Sequence, residues 1–326
     1  MSIALSVIIL SHDHYDETTG PCLASLAEDL RQGDLEVLVV DNGSGAETRD
    51  RLRELGARQP AIRVLESPRN LGFAGGNNLG LREARGEIFL LLNSDTRVPP
   101  GMLGRVAGTL AADPELALAG PVTNAAGTAQ RIHVEGRAPE AILAEGLRFA
   151  GASGGRLLGS ERLDFCCVAI RRSAHQRIGE LDEGFGLGYY EDFDYCLRAR
   201  GLGLRLAVAE GLFVYHRGGT TFGGLGGEAR ALLARNKARI LEKHGPGVAF
   251  PHARDLNLAA LAAYAREVRP GPAGLAYCAR NRLRLARADR PRGWIKRLRY
   301  LRRVAAVEAE LWPLLAGEPR RSTATC

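Results

Sequence analysis

"EIFLLLNSDT", residues 87–96, decides how the chain is to be read. Ile88 to Leu92 run apolar without alternation and then stop on Asn93-Ser94-Asp95. A strand with no polar alternation is covered on both faces, as in a parallel sheet lying between helices. A carboxylate is costly to bury unless it is paired or bound to a metal. The strand is therefore read as surfacing at a working rim, where it presents Asp95.

Working outward, apolar runs of the same kind stand at 4–10, 35–41, 62–67 and 116–120. Helical patterns lie between them, around 17–32, 46–58, 74–85 and 100–112. This alternation predicts an α/β fold with a mainly parallel, Rossmann-like sheet flanked by helices. Ligands of such open sheets lie beyond the carboxyl ends of the strands. Three strands end on polar residues, at Ser11-His12-Asp13, Asp41-Asn42-Gly43-Ser44 and Asn93-Ser94-Asp95, which makes that rim the expected ligand site. Farther along, 150–160 reads as a mobile loop and 162–172 as a strand. Residues 189–203 read as a short helix ended by glycine, and 204–216 as two short strands with a turn near Glu210-Gly211. From about 226 the pattern is helical, and no internal repeat is visible.

A chain of 326 residues has room for one large domain, or one domain plus an appendage. No apolar run approaches the eighteen or so residues a membrane span needs. The opening "MSIALSVIILSHDHYD" lacks a basic leader and reads as a first strand rather than a signal peptide. The six cysteines, Cys22, Cys166, Cys167, Cys196, Cys278 and Cys326, lack zinc-site or C-x-x-C spacing, so reduced thiols in a cytoplasmic protein are expected. The net charge of +7 is unevenly placed: residues 266–303 alone carry +11, which leaves −4 for the remainder.

Several constellations could carry chemistry. In "VVDNGSG" (39–45), Asp41 could accept a hydrogen bond from a base or ribose, or could simply form an Asx-turn capping the next helix. The loop in "SPRNLGFAGGNNLGLREA" (67–84) could bring backbone close to a phosphate at a helix N-terminus. The dinucleotide pattern G-x-G-x-x-G is missing from the first strand–helix junction, which counts against a nicotinamide dehydrogenase. Asp95 suits a hard divalent cation shared with a diphosphate, or caps the following helix. In "YYEDFDYCLR", Glu191, Asp192 and Asp194 crowd a helix start, where the helix dipole alone would favour them. The aromatic residues around them point to partial burial, which raises a carboxyl toward the range of a general base. His216 closes a strand before Gly-Gly and is a candidate metal ligand.

Together these segments resemble the inverting family 2 glycosyltransferases of the GT-A fold, in particular rhamnosyltransferase-like members. "SVIILSHD", "VVDNGS", "NLGFAGGNNLGL", "LLLNSDT", "YYEDFDYCLRARGLG" and "VYHRGGTT" occur in the family's order between Ser6 and about Lys243, and "ARNKARIL" (234–241) resembles a helix that often follows. The resemblance implies a GT-A domain over 1–245, with a nucleotide-binding half at 1–120 and an acceptor half at 121–245, and a basic helical extension over 246–326. It implies Ser11, Asp41 and Ser94 in the nucleotide pocket, and Asn70, Gly72, Gly76 and Asn77 along the ribose and diphosphate. Asp95 and His216 would hold Mn²⁺ or Mg²⁺. Asp192 would be the catalytic base, with Glu191 as the other candidate. Asn93 replaces the commoner Asp, a mark of the subgroup. The implied donor is a nucleoside-diphosphate sugar, dTDP-L-rhamnose first and a UDP-hexose second. The implied acceptor is a cell-surface glycan or a lipid-linked glycan.

The basic segment 276–312 alternates arginine with Leu, Tyr and Trp. It could be a solvated helical face, or could rest on the anionic inner face of the plasma membrane with Trp294 and Tyr300 at the interface; nucleic acid is not the expected partner. A non-catalytic nucleotide-sugar-binding protein is the main rival from another class, and intact Asp95, Asp192 and His216 argue against it. A nucleotidyltransferase would need a Gly- and Arg/Lys-rich signature that "SHDHYDETTG" lacks.

Overall fold

The computed structural model describes residues 3–32, 35–218, 226–267 and 273–316. Most of the Gly-Gly-Thr loop after His216, residues 268–272 of the basic segment, and Cys326 with the rest of 317–326 lie outside them. Among the described residues one sheet of nine strands runs through the molecule. Its parallel half is β3 (Ile62–Ser67), β2 (Leu35–Asn42), β1 (Leu5–Ser11) and β4 (Ile88–Asn93), in that order. Helices α1 (Thr19–Ser25), α2 (Ala46–Arg58) and α3 (Gly72–Glu83) connect them.

The unalternating strands bury both faces. Ile8, Leu38, Val40, Phe89 and Leu91 enter one apolar cluster, and their neighbours Val7, Ile9, Val37, Val39, Leu90 and Leu92 enter the other. Each such side chain contributes roughly 1.5–3 kcal/mol when fully buried, so the sheet is a rigid platform for its loops.

Beyond β4 the direction changes. The two-residue β5 (Thr96–Arg97), α4 (Met102–Ala111), β6 (Leu116–Thr123), α5 (Pro139–Ala152), β7 (Leu157–Gly159) and β8 (Cys167–Arg171) follow in sequence. β8 lies antiparallel between β4 and β6. Two helices, α6 (Arg172–Ile178) and α7 (Glu191–Gly201), lead to β9 (Arg205–His216), which runs parallel to β6 and antiparallel to β5 and β7. Four helices complete the chain: α8 (Gly226–His244), α9 (Ala253–Glu267), α10 (Ala273–Ala288) and α11 (Trp294–Ala316).

Two local readings are corrected. β9 is one strand, not two: its register against β6 jumps from Pro121–Ala209 to Val122–Phe213, so Glu210-Gly211 form a bulge rather than a turn. Residues 150–160 are also no simple loop, since α5 reaches Ala152 and β7 starts at Leu157. Glycine here serves close packing, because a Cβ on Gly146 would sit 2.3 Å from the Phe213 ring.

The bulge places Glu210 at zero exposure. Its carboxylate accepts from Arg156 Nη1 (2.9 Å), Tyr264 Oη (2.6 Å) and Arg282 Nη2 (2.6 Å), tying α9 and α10 to the sheet. Burial alone would raise this carboxyl, but the two guanidinium groups outweigh it and hold it below the usual range.

Candidate functional site

Strand register builds the rim. Ser11 stands opposite Asp41, and Leu10 opposite Asn93, so the carboxyl ends of β1, β2 and β4 open at one level. The Ser11 and Thr19 hydroxyls are 2.8 Å apart. Asp41 Oδ1 accepts from the Ser44 N–H (3.0 Å), and Arg49 Nε stands 3.6 Å from Oδ2. Asp41 Oδ2 is buried and has no hydrogen-bond partner.

Asn42, which stands in "VVDNGSG" without a role assigned to it, organises the next loop. Its amide donates to Asn70 Oδ1 (3.0 Å) and its oxygen accepts from the Leu71 N–H (2.8 Å); Asn70 Oδ1 also accepts from the Gly72 N–H (2.8 Å). Gly72 adopts φ +74°, and a Cβ there would lie 2.1 Å from the Gly186 carbonyl oxygen. Asn70, Gly72, Leu187, Glu228 and Arg235 line a cleft of about 330 Å³. Within α3, a Cβ on Gly76 would meet the Leu10 side chain at 2.2 Å, and the Asn77 amide donates to the Phe73 carbonyl (2.9 Å). The missing side chain at Gly76 lets α3 pack close against β1, while the Asn77 bond stays within α3.

Ser94 and Asp95 form the turn between β4 and β5. Because Thr96 pairs with His216, the end of β9 comes back to this turn. Asp95 Oδ1 and His216 Nε2 are 3.2 Å apart. His216 Nδ1 lies 2.8 Å from the Ala125 carbonyl and donates to it, which turns Nε2 toward Asp95. Burial works against a charged ring, yet Cys166 and Asp95 beside it outweigh that and raise the imidazole well above its ordinary range. Two neighbouring ligands of an octahedral cation, each about 2.1 Å from it, stand about 3 Å apart, so this pair fits a shared divalent ion. Among the described residues no third His, Cys, Asp or Glu joins the pair to complete a cluster.

The acidic pair sits at the start of α7, behind a strained turn. Tyr189 and Tyr190 take φ +68° and +76°, where side chains other than glycine are costly. Asn236 of α8, buried, holds that turn: its amide donates to the carbonyls of Phe185, Gly188 and Tyr189 at 2.8–3.0 Å. Glu191 is 7% exposed and its Oε2 has no partner. Burial first, then the neighbouring Asp192 charge, pushes its carboxyl up to about 8. Asp192 Oδ1 accepts from the Phe193 N–H (2.7 Å), and Arg162 Nη2 stands 3.5 Å from Oδ2. Burial raises the Asp192 carboxyl and Arg162 opposes it, with the balance above the usual carboxylate range. Asp194 points elsewhere, into Arg198 (2.8 Å), Lys243 (2.8 Å) and His244 (2.7 Å).

Asp164 and Arg162 belong to this site although neither stands in a motif. β8 is antiparallel to β4, so the residues entering β8 start at the rim where β4 ends; the Asn93 N–H donates to the Cys166 carbonyl (2.9 Å). The Asp164 charge raises the carboxyls of Glu191 and Asp192 and also the thiol of Cys166. Asp164 Oδ1 accepts from the Cys166 N–H (3.1 Å), and Cys166 lies beside His216. Arg162 lies over the Phe193 ring at 4.8 Å, which fixes its guanidinium beside Asp192.

Comparison with known proteins follows the same outline. Residues 6–179 match the family model described as Glycosyl transferase family 2. The low-salt glycan biosynthesis hexosyltransferase Agl10 of Haloferax volcanii is 30% identical over 176 residues, 52% of this chain and 54% of that protein. An uncharacterized protein y4gI of Sinorhizobium fredii is 27% identical over 65% of this chain and 24% of its own length. The chain thus spans about half of the first of these relatives and about a quarter of the second. Among solved structures, the mannosyltransferase PcManGT from Pyrobaculum calidifontis, in complex with GDP-Man and Mn²⁺, aligns at TM-score 0.51 and 19% identity, over 98% of this chain and 89% of that one. GalNAc-T7 with UDP, GalNAc and Mn²⁺ aligns at TM-score 0.56 and 14% identity, over 73% and 48%. At such identities the likeness speaks for the fold, a GT-A type α/β sheet with a helical C-terminal region.

Proposed function

The chain belongs to glycosyl transferase family 2, and from that premise we propose that it transfers a sugar from a nucleoside-diphosphate donor to an acceptor hydroxyl, with inversion at the anomeric carbon. One observation carries the reading: β1, β2, β4 and β9 end at a single rim, where Asp95 and His216 stand 3.2 Å apart.

In this reading Asp41 receives a donor N–H or hydroxyl on its open Oδ2, Ser11 and Ser94 line the nucleotide pocket, and Asn70 with the first turns of α3, from Gly72 to Gly76 and Asn77, borders ribose and diphosphate. A divalent cation held by Asp95 and His216 would neutralise charge developing on the leaving diphosphate. Asp192 accepts the acceptor's hydroxyl proton as its oxygen bonds to the anomeric carbon. The bond from that carbon to the diphosphate oxygen breaks, and its electron pair leaves with the nucleoside diphosphate. A single displacement without a covalent sugar intermediate gives inversion. dTDP-L-rhamnose is the first donor proposed, for its subgroup resemblance, and a UDP-hexose the second. The acceptor proposed is a cell-surface or lipid-linked glycan reached from the cytoplasm.

Donor turnover across a panel of nucleotide sugars is expected with Mn²⁺ or Mg²⁺ and is expected to collapse with chelator. Binding of the donor without turnover under both conditions would reduce the protein to a nucleotide-sugar carrier.

Arg162 acts here as a positioning residue that keeps Asp192 ionised. Without its charge the folded-state pKa of Asp192 climbs further, and the base form is lost at a higher pH as acid is added. Arg162→Met is therefore expected to move the acid limb of the kcat profile upward by about one pH unit, with activity partly restored in alkali, while Arg162→Lys keeps the limb near wild type. An unchanged limb in Arg162→Met would remove Arg162 from this role.

A further inference from the structure

Helix α11 carries two apolar faces, where a helix packed only on its own fold needs one. At 100° per residue, Tyr300, Val304 and Leu311 fall on one side and are buried, at 3%, 2% and 0% exposure. This corrects the expectation that Tyr300 lies at an outer interface. Trp294, Leu298, Ala305 and Trp312 fall within about 40° of one another, about 115° round the helix from the buried side. They are exposed, the two tryptophans at 76% and 63%. Their separation along the axis is about 27 Å at 1.5 Å per residue, so the stripe runs most of the helix's length. Ile295, 48% exposed, widens it at the first turn.

Basic side chains rim the stripe. By the same helical angles Arg297 borders one side and Arg302 and Arg299 the other. Among the described residues, these three and Arg290, Arg292 and Lys296 make no ion pair, while arginines over the rest of the fold are widely paired. The carboxylates close by are already engaged: Asp255 with Arg303 (2.7 Å), Asp289 with Arg131, and Glu308, beside the stripe, with Arg287 (2.6 Å). Glu310, on the far flank, makes no ion pair among the described residues. The result is an apolar strip ending in tryptophan at both ends, with uncompensated positive charge along its edges. An interfacial helix has this composition, because indole rings settle at headgroup depth while Arg and Lys meet anionic headgroups. No helix among the described residues is long and apolar enough to cross a membrane, so the contact is one of lying on a surface.

We propose that the outward face of α11 docks the protein on an anionic phospholipid surface. The proposal stands on this face alone and does not require the transferase reading. The test is cosedimentation of the full chain with vesicles of phosphatidylcholine, with and without phosphatidylglycerol. Sedimentation is expected with the anionic vesicles only, and is expected to weaken as salt is added. The Trp294→Ala/Trp312→Ala variant is expected to lower partitioning by about tenfold. Arg297→Gln/Arg299→Gln/Arg302→Gln is expected to lower it by about fivefold per charge removed. All five positions are exposed, and matched melting curves would show that both variants remain folded. Equal recovery with neutral and anionic vesicles would overturn the proposal, as would variants that sediment like wild type. So would a tryptophan variant that turns a dimer into a monomer, since a second copy would then cover the face. Tighter capture by duplex nucleic acid, displacing the vesicles, would likewise overturn it.

Discussion

Asp192→Asn is expected to lower turnover by about 10²–10⁴-fold, the range a positioned general base supplies, while leaving the affinity for the nucleotide-sugar donor close to wild type. The amide keeps the shape and can still accept from the Phe193 N–H, so α7 should start as before. What it loses is the ability to take a proton. Glu191→Gln makes the contrast. With its carboxyl pushed up to about 8, Glu191 is mostly protonated at neutral pH, and an amide replaces a neutral acid. Its turnover near pH 7 should fall far less. Steady-state kinetics on both variants, with donor binding followed by calorimetry, separates the two carboxyls. Near-normal turnover in Asp192→Asn, with collapse in Glu191→Gln, would hand the base to Glu191.

The second large effect concerns stability. Glu210→Ala removes the one carboxylate between Arg156 and Arg282, and leaves the fully buried Arg282 guanidinium without its counter-charge. Breaking a buried pair from one side costs about 3–5 kcal/mol, a large part of the stability of most domains. The expected outcome is a melting temperature lowered by several degrees and a lower urea midpoint, with α9 and α10 released first. pH acts in the same direction. The folded-state pKa of Glu210 is depressed, so its contribution is present above the unfolded carboxyl's pKa and is lost as pH falls through the folded value. Wild type should therefore lose stability in acid more steeply than Glu210→Gln. Coincident melting curves for wild type and Glu210→Ala would show that the network contributes nothing measurable.

The parallel half of the sheet was legible because its strands carry no polar alternation, and the polar residues at their ends marked the rim. His216 was legible for the same reason. Glu210-Gly211 misled because a charged residue before glycine looks like a turn; its partners sit 54 and 72 residues away along the chain, out of reach of any local pattern. Asp164 and Arg162 carry no motif at all. They reach the site only because β8 reverses against β4, a fact of topology that spacing does not encode. Tyr300 and Trp294 share a basic, aromatic neighbourhood in sequence, and only the packing of α11 on α9 and α10 decides that one is covered and the other open. The family match stops at residue 179, so the acidic pair, His216 and the Asn236 amide that holds the strained tyrosines all lie downstream of it.

The seam between Gly72 and Gly186 limits how this protein can be recombined. Backbone meets backbone there, with the Phe73 N–H donating to the Leu187 carbonyl (3.1 Å) and no room for a methyl group at position 72. Chimaeras that graft a foreign 67–84 segment would have to carry glycine at that one position. A graft with any other residue there would force the backbones at 72 and 186 apart, however well its remaining side chains packed.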